Sequence, residues 1–175
     1  LKTTVIGITG SNGKTTTKEL IATVLSQKFN TLYTQGNLNN HIGVPLTLLQ
    51  LRKEHEIAVI EMGANHPGEI KTLAEIACPN FGIITNVGKA HLEGFGSFEG
   101  VVNTKTELYR YIKANNGKIF INTANSILME KASSLEKIGY SLSDTEGIIH
   151  GRIMGNNPYI SIEWQGDNEK KHTVE

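Results

Sequence analysis

Gly10-Ser11-Asn12-Gly13-Lys14-Thr15 sets two glycines, a lysine and a hydroxyl between the apolar run Val5-Ile6-Gly7-Ile8-Thr9 and the helix-like Thr16-Thr17-Lys18-Glu19-Leu20-Ile21-Ala22-Thr23-Val24-Leu25. Residue types in that order suit the binding of a nucleotide's phosphates. Gly10 and Gly13 let consecutive backbone N–H groups turn into one concavity. The N-terminus of the following helix adds unpaired donors and the positive end of its dipole. Lys14 reaches the outer phosphates as a mobile point charge, the Thr15 hydroxyl is placed for Mg2+, and Ser11, Asn12 and Thr16 complete the loop. The spacing departs from the common G-x-x-x-x-G-K-[ST] pattern, which would put glycine where Ile8 stands. The plain alternative is a strand-to-helix turn with a surface lysine. It leaves the clustered glycines and the threonines at 15, 16 and 17 unexplained.

Further along, Glu61 closes the apolar run Ile57-Ala58-Val59-Ile60, Asn86 follows Phe81-Gly82-Ile83-Ile84-Thr85, and His91 lies in the glycine-rich loop beyond. In open parallel sheets ligands bind past the carboxyl ends of the strands, so these residues join Lys14 and Thr15 in one candidate site. A carboxylate ending a buried strand beside a glycine loop can hold Mg2+ directly or through water. The plain alternatives are a helix cap or surface acid for Glu61 and a structural or solvent-facing ring for His91. Lys105 is a sharper anomaly. Phe98, Val101, Val102, Leu108, Tyr109 and Ile112 form an apolar stripe at helical spacing, and Lys105 falls in its middle. A lysine there must snorkel, lose its charge or find a partner. A buried amine with a lowered pKa is also a nucleophile that can take up CO2, and the resulting carbamate is an oxygen ligand suited to Mg2+.

The elements that must position these groups alternate. The sequence predicts strands at 5–9, 30–33, 57–60, 81–84, 118–122 and 138–141, and helices from about 15 to 25, 46 to 51 with Pro45 at the start, 69 to 77, 97 to 113 and 126 to 135. The amide-rich segment 35–45 reads as a loop. Alternation of this kind predicts an α/β fold with a mostly parallel sheet covered by helices on both faces. Past about Asp144 the helices stop. Ile148 to Met154 and Tyr159 to Trp164, joined by Gly155-Asn156-Asn157-Pro158, predict a small antiparallel extension. The expected division is residues 1–145 as the nucleotide-binding core and 146–175 as an extension of the same domain.

At 175 residues the chain is long enough for a substantial core. Its 17 basic and 17 acidic residues balance without a run of either sign, which argues against nucleic acid or an anionic membrane surface as partner. The one cysteine, Cys78, excludes an internal disulfide, fits a reducing compartment and reads as a small buried side chain before Pro79. No stretch has the apolar length of a transmembrane helix, and the expectation is a cytoplasmic monomer. The start close to the first strand and the end at Lys170-Lys171-His172-Thr173-Val174-Glu175 read as those of a piece of a longer protein.

Together these residues resemble the Mur ligase family, the ATP-dependent enzymes that add amino acids to the peptidoglycan precursor. The resemblance rests on Thr9-Gly10-Ser11-Asn12-Gly13-Lys14-Thr15-Thr16, on Glu61 ending its strand, and on His91 followed by Lys105. Gly36-Asn37-Leu38-Asn39-Asn40-His41-Ile42-Gly43-Val44-Pro45, Glu61-Met62-Gly63-Ala64-Asn65 and Thr85-Asn86-Val87-Gly88-Lys89-Ala90-His91-Leu92 are most similar to the members that join D-alanyl-D-alanine to UDP-N-acetylmuramoyl-tripeptide. The resemblance implies the central ATPase domain of a three-domain enzyme, without its UDP-binding and dipeptide-binding neighbours. It implies ATP and two Mg2+, one held by Thr15 and Glu61, the other by His91 and a carbamylated Lys105. Lys14, Glu61, His91 and Lys105 would be the catalytic set, and Asn39 and Asn40 contacts to phosphate or substrate. The family's later G-x-H-N-x-x-N segment, which helps hold the base, is not in this sequence, although Asn122 and Asn125 lie where an Asn-rich stretch is common. Two rival readings are a folylpolyglutamate synthase-like ligase and a nucleotide-binding module without catalysis.

Overall fold

β1 (Thr4–Thr9) is the strand around which the first part of the chain is built. A computed structural model describes residues 2–88, 92–142, 149–155, 158–166 and 170–174. It falls into two compact units, Leu1–Ile119 and Phe120–Glu175. In the first, α1 (Lys14–Leu25) follows the glycine loop, β2 (Thr31–Tyr33) precedes α2 (Gly43–Leu48), and β3 (Ile57–Glu61) precedes α3 (Glu69–Ala77). β4 (Phe81–Ile84), α4 (Leu92–Phe95), α5 (Phe98–Lys105) and α6 (Glu107–Ala114) complete it. The strand order is β2-β3-β1-β4, all parallel.

Register explains why chemistry collects at one edge. Ile8 pairs with Glu61 across β1 and β3, while Thr9 pairs with Ile84 across β1 and β4. The glycine loop, the Glu61 carboxylate and the Thr85-Asn86 turn therefore leave the sheet side by side. Ile8, Ala58, Val59, Ile60 and Ile84 have no exposed surface. Burying each of the larger ones is worth about 1.5–3 kcal/mol, which makes this edge a firm platform.

The second unit takes in most of β5 (Lys118–Asn122), then α7 (Ser126–Lys131) and β6 (Lys137–Ser141). β7 (Ile149–Gly155) pairs with β6 in parallel, and β8 (Ser161–Gln165) and β9 (His172–Val174) add antiparallel strands. Trp164 and His172 stack across β8 and β9 with centroids 4.7 Å apart. Among the described residues no helix is long and apolar enough to cross a membrane.

The α/β class, the mostly parallel sheet and the antiparallel end agree with the sequence reading, while three local expectations need correction. The helix expected over 97–113 is two, because the Thr106 hydroxyl donates to the Val102 carbonyl (2.8 Å) and the chain turns there, with Thr106 ending α5 and opening α6. α2 starts at Gly43, where the Asn40 side chain accepts from the amides of Ile42 (3.1 Å) and Gly43 (2.9 Å), so Pro45 sits inside the first turn. Cys78 is exposed, not buried: it caps α3 at φ 49°, and Pro79 takes the buried place.

Candidate active site

The phosphate loop is shaped by its neighbours. Gly10 has φ +144°, and a Cβ there would collide with the Thr85 hydroxyl, so only glycine fits. Both ends of the Asn12 residue are held by the turn after β4. Its N–H donates to Asn86 Oδ1 (3.0 Å), and its carbonyl accepts from Thr85 Oγ1 (2.6 Å). Ser11 adds two links, its N–H to the Asn86 carbonyl (3.0 Å) and its Oγ accepting from Gly88 N–H (2.9 Å). α1 begins at Gly13 in the left-handed conformation, with no side-chain cap and no acid in its first turn. Those open donors, with the dipole behind them, are an anion site. Lys14 folds over the same loop, donating to the carbonyls of Gly10 (3.0 Å) and Ser11 (3.3 Å).

Glu61 is 1% exposed. Its Oε1 accepts from Thr15 Oγ1 (3.2 Å) and Asn39 Nδ2 (2.8 Å), while its buried Oε2 has no hydrogen-bond partner among the described residues. Its backbone N–H donates to Thr34 Oγ1 (3.0 Å). Asn39 is seated closely: its carbonyl accepts from Gly63 N–H (2.7 Å), and a Cβ at Gly63 would lie 2.7 Å from Asn39 Oδ1. An orphaned carboxylate oxygen beside a threonine hydroxyl is what a hard cation's ligands look like before the cation is bound. The residues present thus fit Mg2+.

Lys105 is 2% exposed, over the Phe95 ring at 5.4 Å, with the Ala64 carbonyl 3.4 Å from Nζ. Burial, followed by repulsion from Lys14, lowers its pKa from 10.5 to about 8, against the opposing pull of Glu69 and Glu107. A cavity of about 650 Å³ is lined by Lys14, Lys105, Asn39, Asn40, His41 and Glu69 among others. Burial opposes ionisation of Glu69, but the amides of Asn65 and His66 donate to its carboxylate, and its pKa lies below the ordinary 4.5. Glu107 reaches from α6 to the start of α3, accepting from Gly68 N–H and Lys71 N–H, both at 2.8 Å.

A family model described as the Mur ligase middle domain matches residues 8–168. The chain belongs to the Mur ligase family. Over 122 residues it is 50% identical to UDP-N-acetylmuramoyl-tripeptide–D-alanyl-D-alanine ligase of Escherichia coli (strain K12), an alignment covering 70% of this chain and 27% of that protein. The crystal structure of MurF ligase from Thermotoga maritima in complex with ADP is similar at a TM-score of 0.87 and 32% identity, covering 99% of this chain and 40% of that one. A crystal structure of MurF from Acinetobacter baumannii gives 0.85 and 36%, covering 99% and 38%. This Mur ligase chain spans well under half the length of the relatives it matches.

Of the residues singled out in the sequence, the fold brings Gly10 to Thr16, Asn39, Glu61 and Lys105 to one end of the parallel sheet, and Asn40 to the cavity wall. His91 lies outside the described residues. Sequence reasoning overlooked Lys18, Thr34, His41 and Glu107. Lys18 had a signal: with Ala22 and Leu25 it follows helical spacing, which puts its amine on the inward face. Glu107 and Thr34 had none, since their partners are backbone groups distant in sequence.

Proposed function

We propose that this chain is the central ATPase domain of a ligase that adds D-alanyl-D-alanine to UDP-N-acetylmuramoyl-tripeptide. The observation that carries this reading is a cavity lined by Lys14 and the buried Lys105, whose wall residue Asn39 holds the Glu61 carboxylate that Thr15 also binds, in a chain 50% identical over 122 residues to a ligase of that name.

The chemistry starts from a carboxylate, a poor electrophile. One carboxylate oxygen takes the γ-phosphoryl group of ATP, and ADP leaves. The amine of D-alanyl-D-alanine then attacks the acyl carbon, phosphate departs with the C–O electron pair, and the nitrogen loses a proton to give the amide. The open N–H groups of Gly13, Lys14 and Thr15 at the start of α1 hold the phosphates, Ser11 and Asn12, tied to the Thr85-Asn86 turn, shape the loop with Thr16 beside them, and Lys14 stabilises the charge that develops on the transferring group. Thr15 and Glu61 would hold one Mg2+, and His91 with a carbamate on Lys105 a second. Such ions neutralise the repulsion between the substrate carboxylate and the γ-phosphate. Asn39 orients Glu61. Asn40 commits its oxygen to the amides of Ile42 and Gly43, leaving its amide nitrogen to donate to substrate. The Ala64 carbonyl and Phe95 ring hold the Lys105 amine in place.

The test uses the parent protein with ATP, Mg2+ and a panel of acceptors. ADP and amide formed only when both UDP-N-acetylmuramoyl-tripeptide and D-alanyl-D-alanine are present support the reading. Turnover of a folate instead, or nucleotide binding without turnover of any acceptor, overturns it. Glu61→Gln, of equal shape, should cost about 100-fold in Mg2+-dependent turnover.

A further inference from the structure

Lys18 belongs to no role assigned so far. It is fully buried, on α1 one turn beyond Thr15. Its Nζ donates to the Thr34 carbonyl (2.7 Å) and the Gly36 carbonyl (3.3 Å) and pairs with the half-exposed Glu19 carboxylate (2.8 Å). The Tyr33 ring lies 5.8 Å from it. Burying an ammonium is costly, and a mere helix anchor would be better made of leucine.

The carbonyls it holds explain its presence. Thr34 and Gly36 begin the loop that carries Asn39. Thr34 also fixes the Glu61 backbone from its hydroxyl. Two helical positions on α1 therefore grip the same carboxylate by different routes. Thr15 binds Glu61 Oε1 directly, and Lys18 binds the segment whose Asn39 binds that same oxygen. We propose that Lys18 is a positioning residue that sets the 34–39 loop, and through Asn39 the Glu61 carboxylate, for its cation. Its action on a metal ligand rests on the proposed function; its action on the loop does not.

Two measurements on the full-length protein separate those parts. In Lys18→Met, which keeps the length and removes the charge, amide hydrogen exchange should quicken at Gly63, whose N–H is held by the Asn39 carbonyl, while amides of β1 keep their protection. The Mg2+ midpoint for ADP binding, read by calorimetry, should rise about tenfold, the usual loss when a ligand's supporting hydrogen bond is removed. Asn39→Ala should raise it comparably, and the double variant no further. Unchanged Gly63 exchange, or exchange quickened equally throughout β1, overturns the proposal. Fully additive midpoint shifts overturn the route through Asn39. Quickened Gly63 exchange in a protein whose parent ligates nothing would sustain the loop role and remove the ligase reading. Lys18→Gln, too short to span both carbonyls, carries the same outcomes if the Met variant does not fold.

Discussion

Burial gives Lys105 the lowered pKa on which the proposed carbamate depends. With its pKa lowered to about 8, a substantial neutral fraction exists near physiological pH, and only the neutral amine attacks CO2. Carbon-13 bicarbonate should give the wild-type protein a carbamate NMR signal that grows, at fixed dissolved CO2, as the pH is raised from about 7 to 9. Lys105→Ala should abolish it, and an equal signal in that variant would contradict the assignment. Stability carries the same sign. The folded pKa lies below the ordinary 10.5, so the unfolded chain binds more protons between the two values, and stability rises with pH through that window. Below about pH 8 the buried charge costs its full penalty, on the order of 3 kcal/mol. In CO2-free buffer Lys105→Met should therefore unfold at higher denaturant than wild type at neutral pH, with the gain shrinking toward pH 10.5. No gain at neutral pH would show that the amine is accommodated without cost. Lys105 was legible in the sequence because its neighbours make an apolar stripe; Lys18 left a weaker signal, its helical spacing with Ala22 and Leu25, blurred by Leu20 and Val24 on the exposed side of α1.

The strands and most helices could be read from periodicity, since each buries a regular set of side chains. What could not be read are the places where one element is ended or held by another. α5 and α6 look like one helix until the Thr106 hydroxyl turns back on its own backbone. The start of α3 looks self-sufficient until Glu107, from α6, takes two of its amides. That contact ties the helix pair bearing Lys105 to α3, whose first turn lines the cavity. Glu107→Ala would leave the Gly68 and Lys71 donors without their acceptor and should cost about 1–3 kcal/mol in denaturant unfolding. A change below about 0.5 kcal/mol, the level of an ordinary surface substitution, would mean that solvent replaces the carboxylate. At Gly10 the prediction concerns binding instead. Gly10→Ala forces the loop off Thr85 and should abolish ADP binding in calorimetry, whereas tight binding would show that the loop can be rebuilt.

In the first unit, four parallel strands in fixed register deliver the phosphate loop, a buried carboxylate and the Thr85-Asn86 clamp to one edge, and the helices behind them bring Lys105 to the same cavity. That convergence supports the proposed phosphoryl transfer to a carboxylate. The relatives are far longer than this chain, and the proposed function is most directly tested in the parent protein. UDP-N-acetylmuramoyl-tripeptide labelled with oxygen-18 in its terminal carboxylate should, on ligation to D-alanyl-D-alanine, deliver one labelled oxygen into each inorganic phosphate released, because the carboxylate oxygen bridges carbon and phosphorus in the acyl phosphate. Amide formed with unlabelled phosphate would contradict carboxylate activation at this site.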